Sequence, residues 1–371
     1  MCNFAYRLLG ETFLAKTVPK TGIIFIAITT LQMFYNGIKL LLRGNSVKFN
    51  SIELCAGAGG QALGLEKAGF KHIELIEIDK NACNTLRFNR PKWNIFEGDI
   101  RDYSPKPDVK IDLLAGGVPC PPFSVAGKQL GKMDERDLFP EALRLVKEIQ
   151  PRAVMLENVR GLLDSIFDDY RTKIIKNLEN LGYVTDWKLL NASDYGVSQL
   201  RPRVVFVALK KELEPFYFWP NVSETTPPTV GELLYDMIIK NGWKSARQWK
   251  KAACDIAPTI VGGSKKHGGP DLGPTRARNA WASLGVDGKG IANDAPEKDF
   301  EGMPRLTVEM VARIQGFPSD WIFTGSKTNK YRQVGNAFPP PVAQAVGLQI
   351  KKAFELYAAF VEHKLPEREY A

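Results

Sequence analysis

Between Lys48 and about Leu209, short β-rich runs alternate with helix-patterned stretches, and that alternation constrains the fold more than any other feature of the chain. Residues 51–54, 73–77, 111–115, 153–157 and 204–209 read as strands, and residues 60–68, 81–89, 138–149 and 165–181 read as helices between them. Strands separated by helices do not form hairpins; they line up side by side, mostly parallel, with helices covering both faces. Sheets of this kind bind ligands in the crevice outside the carboxyl ends of their strands. The residues that follow each strand are therefore where function is to be sought.

The pattern fails after residue 210. From there to about 304, Pro and Gly are frequent, as in Thr226-Pro227-Pro228 and Gly268-Gly269-Pro270, and no period persists, which predicts a second, smaller, irregular domain. Helix returns over 307–314 and 341–360. The expected division is a cofactor and catalytic part over 48–209, the smaller domain over 210–304, and a return to the first part over 305–371. A length of 371 residues suits two domains of roughly 100–200 residues each.

Charge is placed unevenly within the net +9. Residues 240–278 hold nine basic side chains against two acidic ones, and residues 1–47 hold five against one. A basic segment inside a near-neutral body points to a polyanion partner, although on charge alone a solvated loop fits equally well. The five cysteines (Cys2, Cys55, Cys83, Cys120, Cys254) are scattered and odd in number, which argues for a reducing compartment. Of three histidines none lies near a pair of cysteines, so no metal is expected. Residues 1–47 contain an apolar stretch from Gly22 to Tyr35, continued to Leu42 across Asn36, Gly37 and Lys39. It is short against the roughly 20 apolar residues of a membrane span, and no small-residue cleavage site follows it. A peripheral helix, a weak membrane anchor and upstream sequence read from an early start codon all fit; the last is preferred, because the pattern of a cytoplasmic enzyme begins abruptly at Val47.

The first strand runs into Leu54-Cys55-Ala56-Gly57-Ala58-Gly59-Gly60, a turn where glycines let backbone approach a ligand closely. The next strand ends Glu77-Ile78-Asp79, about 20 residues on, where an acid commonly holds a ribose hydroxyl. That spacing does not distinguish a dinucleotide from S-adenosylmethionine. Gly98-Asp99-Ile100 is an acidic turn suited to an adenine amino group, or simply a turn. After the strand at 111–115 comes Gly116-Gly117-Val118-Pro119-Cys120-Pro121-Pro122-Phe123-Ser124. A lone cysteine is more often a small buried hydrophobe. Prolines that stiffen the backbone around one at a cofactor edge reverse that expectation. Glu157-Asn158-Val159 closes a further strand, and Gln199-Leu200-Arg201-Pro202-Arg203 enters another, with two arginines spaced to point the same way.

Taken in order, these motifs resemble those of the DNA (cytosine-5)-methyltransferases of bacterial restriction-modification systems. The resemblance extends through Arg313-Ile314-Gln315-Gly316-Phe317-Pro318 to Gln333-Val334-Gly335-Asn336-Ala337-Phe338-Pro339-Pro340. It implies a Rossmann-like α/β methyltransferase fold that binds S-adenosylmethionine, with a smaller target-recognition domain. It implies catalytic roles for Cys120, Glu157, Asn158, Arg201 and Arg203. Cofactor contacts are implied for Leu54, Cys55, Ala56, Gly57, Gly59 and Gly60, for Glu77, Ile78, Asp99 and Ile100, and for Gly117, Pro119, Asn336 and Ala337. Cys55 departs from the aromatic or aliphatic residue usual in the family. Ser124 and Lys128 fall on a loop that would close over a flipped cytosine, and Gln199, Lys265, Lys266, Arg276 and Arg278 are expected at the DNA. The expected partners are duplex DNA and, functionally, a restriction endonuclease, with the enzyme a monomer. The same chemistry on tRNA, a catalytically dead DNA-binding homologue and a nucleotide dehydrogenase are the readings that compete. Intact Cys120, Glu157 and Arg203 weigh against the dead homologue, and a long basic recognition segment weighs against tRNA.

Overall fold

The computed structural model describes residues 48–107, 109–119, 137–262 and 270–364. Seven strands form one sheet: β1 (Phe49–Leu54), β2 (Phe70–Glu77), β3 (Ile95–Glu97), β4 (Leu113–Gly116), β5 (Ala153–Val159), β6 (Tyr183–Asn191) and β7 (Pro202–Lys210). Their order is β3-β2-β1-β4-β5-β7-β6. The first five are parallel, whereas β7 runs antiparallel to both β5 and β6. The reason is the length of the links. Parallel neighbours need a crossover of a dozen or more residues, usually helical. Here α1 (Gly60–Ala68), α2 (Lys80–Asn89), α3 (Phe139–Ile149) and α4 (Asp168–Asn180) accompany the crossovers. Only residues 192–201 separate β6 from β7, so β7 folds back as a hairpin partner between β5 and β6.

Alternation along β1 sends Ile52 and Leu54 to one face and Phe49, Ser51 and Glu53 to the other. On the first face they pack with Phe139, Leu145 and Val146 of α3 and Ile174 and Leu178 of α4. Behind the other face Phe49 and Leu65 meet Ile350 and Phe354 of the long C-terminal helix. Ser51 and Glu53 are polar yet almost fully buried. Ser51 donates to Nδ1 of His72, whose Nε2 meets the Ala62 carbonyl on α1.

Among its described residues, the segment expected to be irregular contains the α-helices α5 (Val230–Ile238), α6 (Ala246–Ala252) and α7 (Thr275–Ser283). The signal for α5 was present as Thr229 and Glu232, which form a reciprocal capping box. These helices do not bury a core of their own. Val230, Leu234, Trp249 and Trp281 join one cluster with Leu306 and Val311 beyond residue 304, and with Leu63 and Leu86 of the sheet domain. Two further helices, α8 (Val308–Ile314) and α9 (Lys327–Asn336), lead into α10 (Pro340–Lys364). Arg313 on α8 binds Asp236 and the Leu233 carbonyl of α5, which ties the segment back to the body. Among the described residues no helix is long and apolar enough to cross a membrane.

Candidate active site

The carboxyl ends of β1, β2, β4 and β5 open into a cavity of about 830 Å³. Its floor is the glycine turn after β1. Gly59 has φ 87°, and a Cβ there would stand 2.7 Å from the Leu86 side chain, so the turn accepts only glycine. Cys55 takes a left-handed conformation as well, with φ 51°. Burial, with Glu77, Asp99 and Glu53 nearby, pushes its thiol up to about 12, which leaves it an unreactive neutral lining group.

Glu77 shapes the turn. One carboxylate oxygen accepts the Gly57 N–H at 2.7 Å and the other accepts the Asp79 N–H at 2.7 Å, and each keeps a lone pair. Burial raises its pKa against these two hydrogen bonds. Asp99 caps the short turn after β3 and pairs with Arg101. Ile78 is 67 % exposed at the mouth, and Ile100 is buried at the wall. Of the expected cofactor contacts, Cys55, Ala56, Gly57 and Gly60 line the cavity, as do Glu77, Ile78, Asp99 and Ile100, and Gly117, Pro119, Asn336 and Ala337. Leu54 and Gly59 are not on the wall; Leu54 is fully buried beneath it. The lining also includes Glu53, Gln61 and Arg332, for which the motifs carried no signal.

A second cavity of about 320 Å³ adjoins the first and shares Gly117, Pro119, Glu157 and Asn336 with it. Glu157 sits in β5 opposite Val205, and its Oε1 pairs with Nε of Arg203 at 2.9 Å. Burial raises the Glu157 pKa, and the two arginine charges hold it back. Asn158 is buried, donates to the Val118 carbonyl at 2.9 Å and so braces the segment that leads into Cys120. Cys120, Ser124 and Lys128 lie outside the described residues, as do Lys265 and Lys266.

Arg201 and Gln199, expected at the base and at the DNA, are in neither cavity's lining; both side chains are bound inside the protein. The fully buried Arg201 guanidinium donates to the carbonyls of Ile260 at 2.6 Å, Gly335 at 2.8 Å and Ala337 at 3.0 Å. Gln199 is 0 % exposed; it donates to Gln315 and accepts the Ile260 N–H. Leu200, between them, points the other way and is half exposed, as the alternation of an extended segment requires. Both polar side chains therefore fasten Ile260–Gly262 against the end of α9. The approach there is so close that a Cβ on Gly262 would lie 2.0 Å from Asn336 Oδ1, and one on Gly335 would lie 2.4 Å from the Gly262 Cα. On α7, Arg276 is exposed, while Arg278 leans across Gly288 and faces Asp271 at 3.9 Å.

Residues 49–352 match the C-5 cytosine-specific DNA methylase family as one continuous unit. The chain belongs to that family. It is 59% identical over 312 residues to the Type II methyltransferase M.NgoMIV of Neisseria gonorrhoeae, an alignment that spans 83% of this chain and 99% of the relative. Identity to the Type II methyltransferase M.NaeI of Lentzea aerocolonigenes is 55%, over 82% of this chain and 75% of that one. Among solved structures, a DNA modification methyltransferase encoded within an E. coli prophage superposes with a TM-score of 0.60 at 24% identity, over 82% of this chain and 99% of that one. Dnmt2 of S. pombe follows at 0.56 and 17%, over 82% and 98%. At those identities the superpositions show the fold, a Rossmann-like methyltransferase sheet. The methylase is thus a DNA (cytosine-5)-methyltransferase of the bacterial Type II restriction-modification kind.

Proposed function

We propose that this methylase acts on a cytosine swung out of a specific duplex DNA sequence, with S-adenosylmethionine as methyl donor and Cys120 as the nucleophile that primes the ring. The observation that carries the reading is the meeting of two cavities at Glu157, Gly117, Pro119 and Asn336, one residue before the cysteine.

The larger cavity suits the donor. Glu53, Glu77, Asp79 and Asp99 line it, and its two arginines are already engaged, Arg101 with Asp99 and Arg332 with Asp79. Among the described residues, Glu53 and Glu77 are thus left without a cationic partner, and a ligand that carries a sulfonium cation favours their ionised forms. Glu77 retains lone pairs for ribose hydroxyls, and Ile78 and Ile100 offer apolar surface to the adenine. When bound, S-adenosylmethionine supplies a methyl group made electrophilic by its positive sulfur.

C5 of cytosine is a poor nucleophile, so the chain's residues must raise its electron density first. Cys120, as thiolate, adds to C6; the new S–C6 bond pushes electrons toward C5 and N3. Glu157 holds a proton at N3, and its raised pKa favours the form that does so. Arg203 keeps that carboxyl aimed, and Asn158 steadies the entry to the cysteine loop. After methylation the C5 proton is lost to water and the thiolate is expelled, which restores Cys120 and leaves 5-methylcytosine. Residues 210–304, with their basic stretch, read the DNA, while Ser124 and Lys128 belong to the loop that covers the base. The enzyme works as a monomer, and it works opposite a restriction endonuclease; the Type II designation of its relatives supports the second of these.

Transfer of tritium from labelled donor to duplex DNA tests the reading. The Cys120→Ser variant should lose transfer and keep DNA binding, because a hydroxyl is nearly isosteric but far less nucleophilic than a thiolate. Wild-type protein should form a covalent adduct with duplex containing 5-fluorocytosine, since fluorine cannot leave as the proton does. Near-normal turnover by Cys120→Ser would remove the cysteine from the mechanism, and transfer to tRNA in preference to duplex would reassign the substrate.

A further inference from the structure

Gln61 is the second residue of α1 and only 4 % exposed, yet neither its amide oxygen nor its amide nitrogen has a partner among the described residues. Buried amides are ordinarily satisfied, and leaving one unpaired destabilises the fold. Glu53, at the end of β1, is 1 % exposed. Its carboxyl accepts the Ala62 N–H in the first turn of α1, but Oε2 has no partner. Both side chains line the larger cavity. Three unpartnered buried polar atoms thus face one space: two acceptors and one amide donor. Their position along the sheet is informative. Glu77 and Asp99, read above as adenosine ligands, end β2 and follow β3; Gly117 and Pro119, on the way to Cys120, follow β4. Strand order places β1 between β2 and β4, so Glu53 and Gln61 lie between the adenosine side and the reacting side.

We propose that Gln61 and Glu53 bind the amino-acid end of the methyl donor: the Gln61 oxygen and Glu53 Oε2 accept from its ammonium, and the Gln61 amide N–H donates to its carboxylate. The donor is a zwitterion at that end, and this pairing satisfies each unpartnered atom with a group of the right kind. The first turn of α1 adds to it, since the helix has no side-chain cap and its N-terminus favours a carboxylate. Burial holds the Glu53 pKa well above the usual carboxylate range, and an ammonium beside it supplies the charge that would offset its ionisation. The proposal rests on the cofactor reading above and adds two residues to it.

Calorimetric binding of S-adenosylhomocysteine and of 5′-methylthioadenosine, which lacks the amino-acid end, separates the two claims. For Gln61→Met, affinity for S-adenosylhomocysteine should fall about tenfold or more, while affinity for 5′-methylthioadenosine stays within a few-fold of wild type. Thermal stability of the free variant should be equal or higher, because an unpaired buried amide is replaced by an apolar side chain of similar shape. Glu53→Gln should show the same selective loss of S-adenosylhomocysteine binding. An equal loss for both nucleosides, unchanged binding of S-adenosylhomocysteine, or a less stable Gln61→Met protein would overturn the assignment. Failure of the wild type to bind S-adenosylhomocysteine would instead overturn the cofactor reading beneath it.

Discussion

Glu157 is the residue on which sequence and structure bear most directly. It closes an apolar strand, and in the fold it is buried between two cavities with Arg203 at 2.9 Å. Burial and the arginine pull its pKa in opposite directions, and burial prevails. A step that needs protonated Glu157 therefore weakens as pH rises through that raised pKa, while formation of the Cys120 thiolate strengthens in the same direction. Single-turnover rates across pH should show both limbs. In Glu157→Gln the rate should drop by orders of magnitude, and the decline on the alkaline side should vanish because the amide does not titrate. Donor affinity should change little; a parallel loss of donor binding would put Glu157 in the cofactor site instead. Arg201 makes the opposite case. Motif position grouped it with the catalytic residues; its guanidinium is buried, with both terminal nitrogens donating to backbone carbonyls.

Elements were legible where burial on both faces produced continuous apolar runs, as in β4, β5 and β7. β6 was missed because it is an edge strand, half solvent-facing, with Asp186 and Lys188 among its residues. The three residues of β3 are too few to show a period. Helix α9 runs into the motif that begins Gln333-Val334-Gly335-Asn336, whose glycine argues against helix until its contact with Gly262 is seen. Residues 210–304 yield a prediction at this scale. On α7, Arg276 is exposed, whereas Arg278 faces Asp271, so Arg276 is the better choice for a base contact. Arg276→Ala should cost about 1–3 kcal/mol of discrimination between cognate and single-mismatch duplexes. Arg278→Ala should weaken all sequences alike and flatten the salt dependence. Binding assays at two salt concentrations would show which; uniform weakening by both would move base reading elsewhere within 210–304.

At the scale of the molecule, one apolar cluster runs from α1 and α2 through α5–α7 to α8, so residues 210–304 and the sheet share their interior. The stretch before Lys48 lies outside the family match, which begins at residue 49. A protein starting at Val47 should remain soluble and monomeric, with methyl transfer and melting temperature close to those of the full chain. Size-exclusion chromatography, thermal denaturation and the tritium assay would check it, and aggregation or lost activity would show that the first residues cover or anchor the domain.

The residue pattern by itself determined that a mostly parallel sheet forms, that its loops carry the motifs, and that Cys120 and Glu157 follow or close neighbouring strands. Those properties follow from local periodicity and from the rule that such sheets expose their carboxyl ends. Only the tertiary structure decided which side chains face a cavity and which are spent inside the protein. Arg201 and Arg203 are two residues apart, yet one binds backbone carbonyls and the other binds Glu157, because the partners come from segments distant in the chain. Gln61 looked like any polar residue at the start of a helix. Its meaning depends on burial against a cavity whose walls are contributed by β1, β2, β4, β5 and the end of α9, and no spacing within a single strand or helix encodes that.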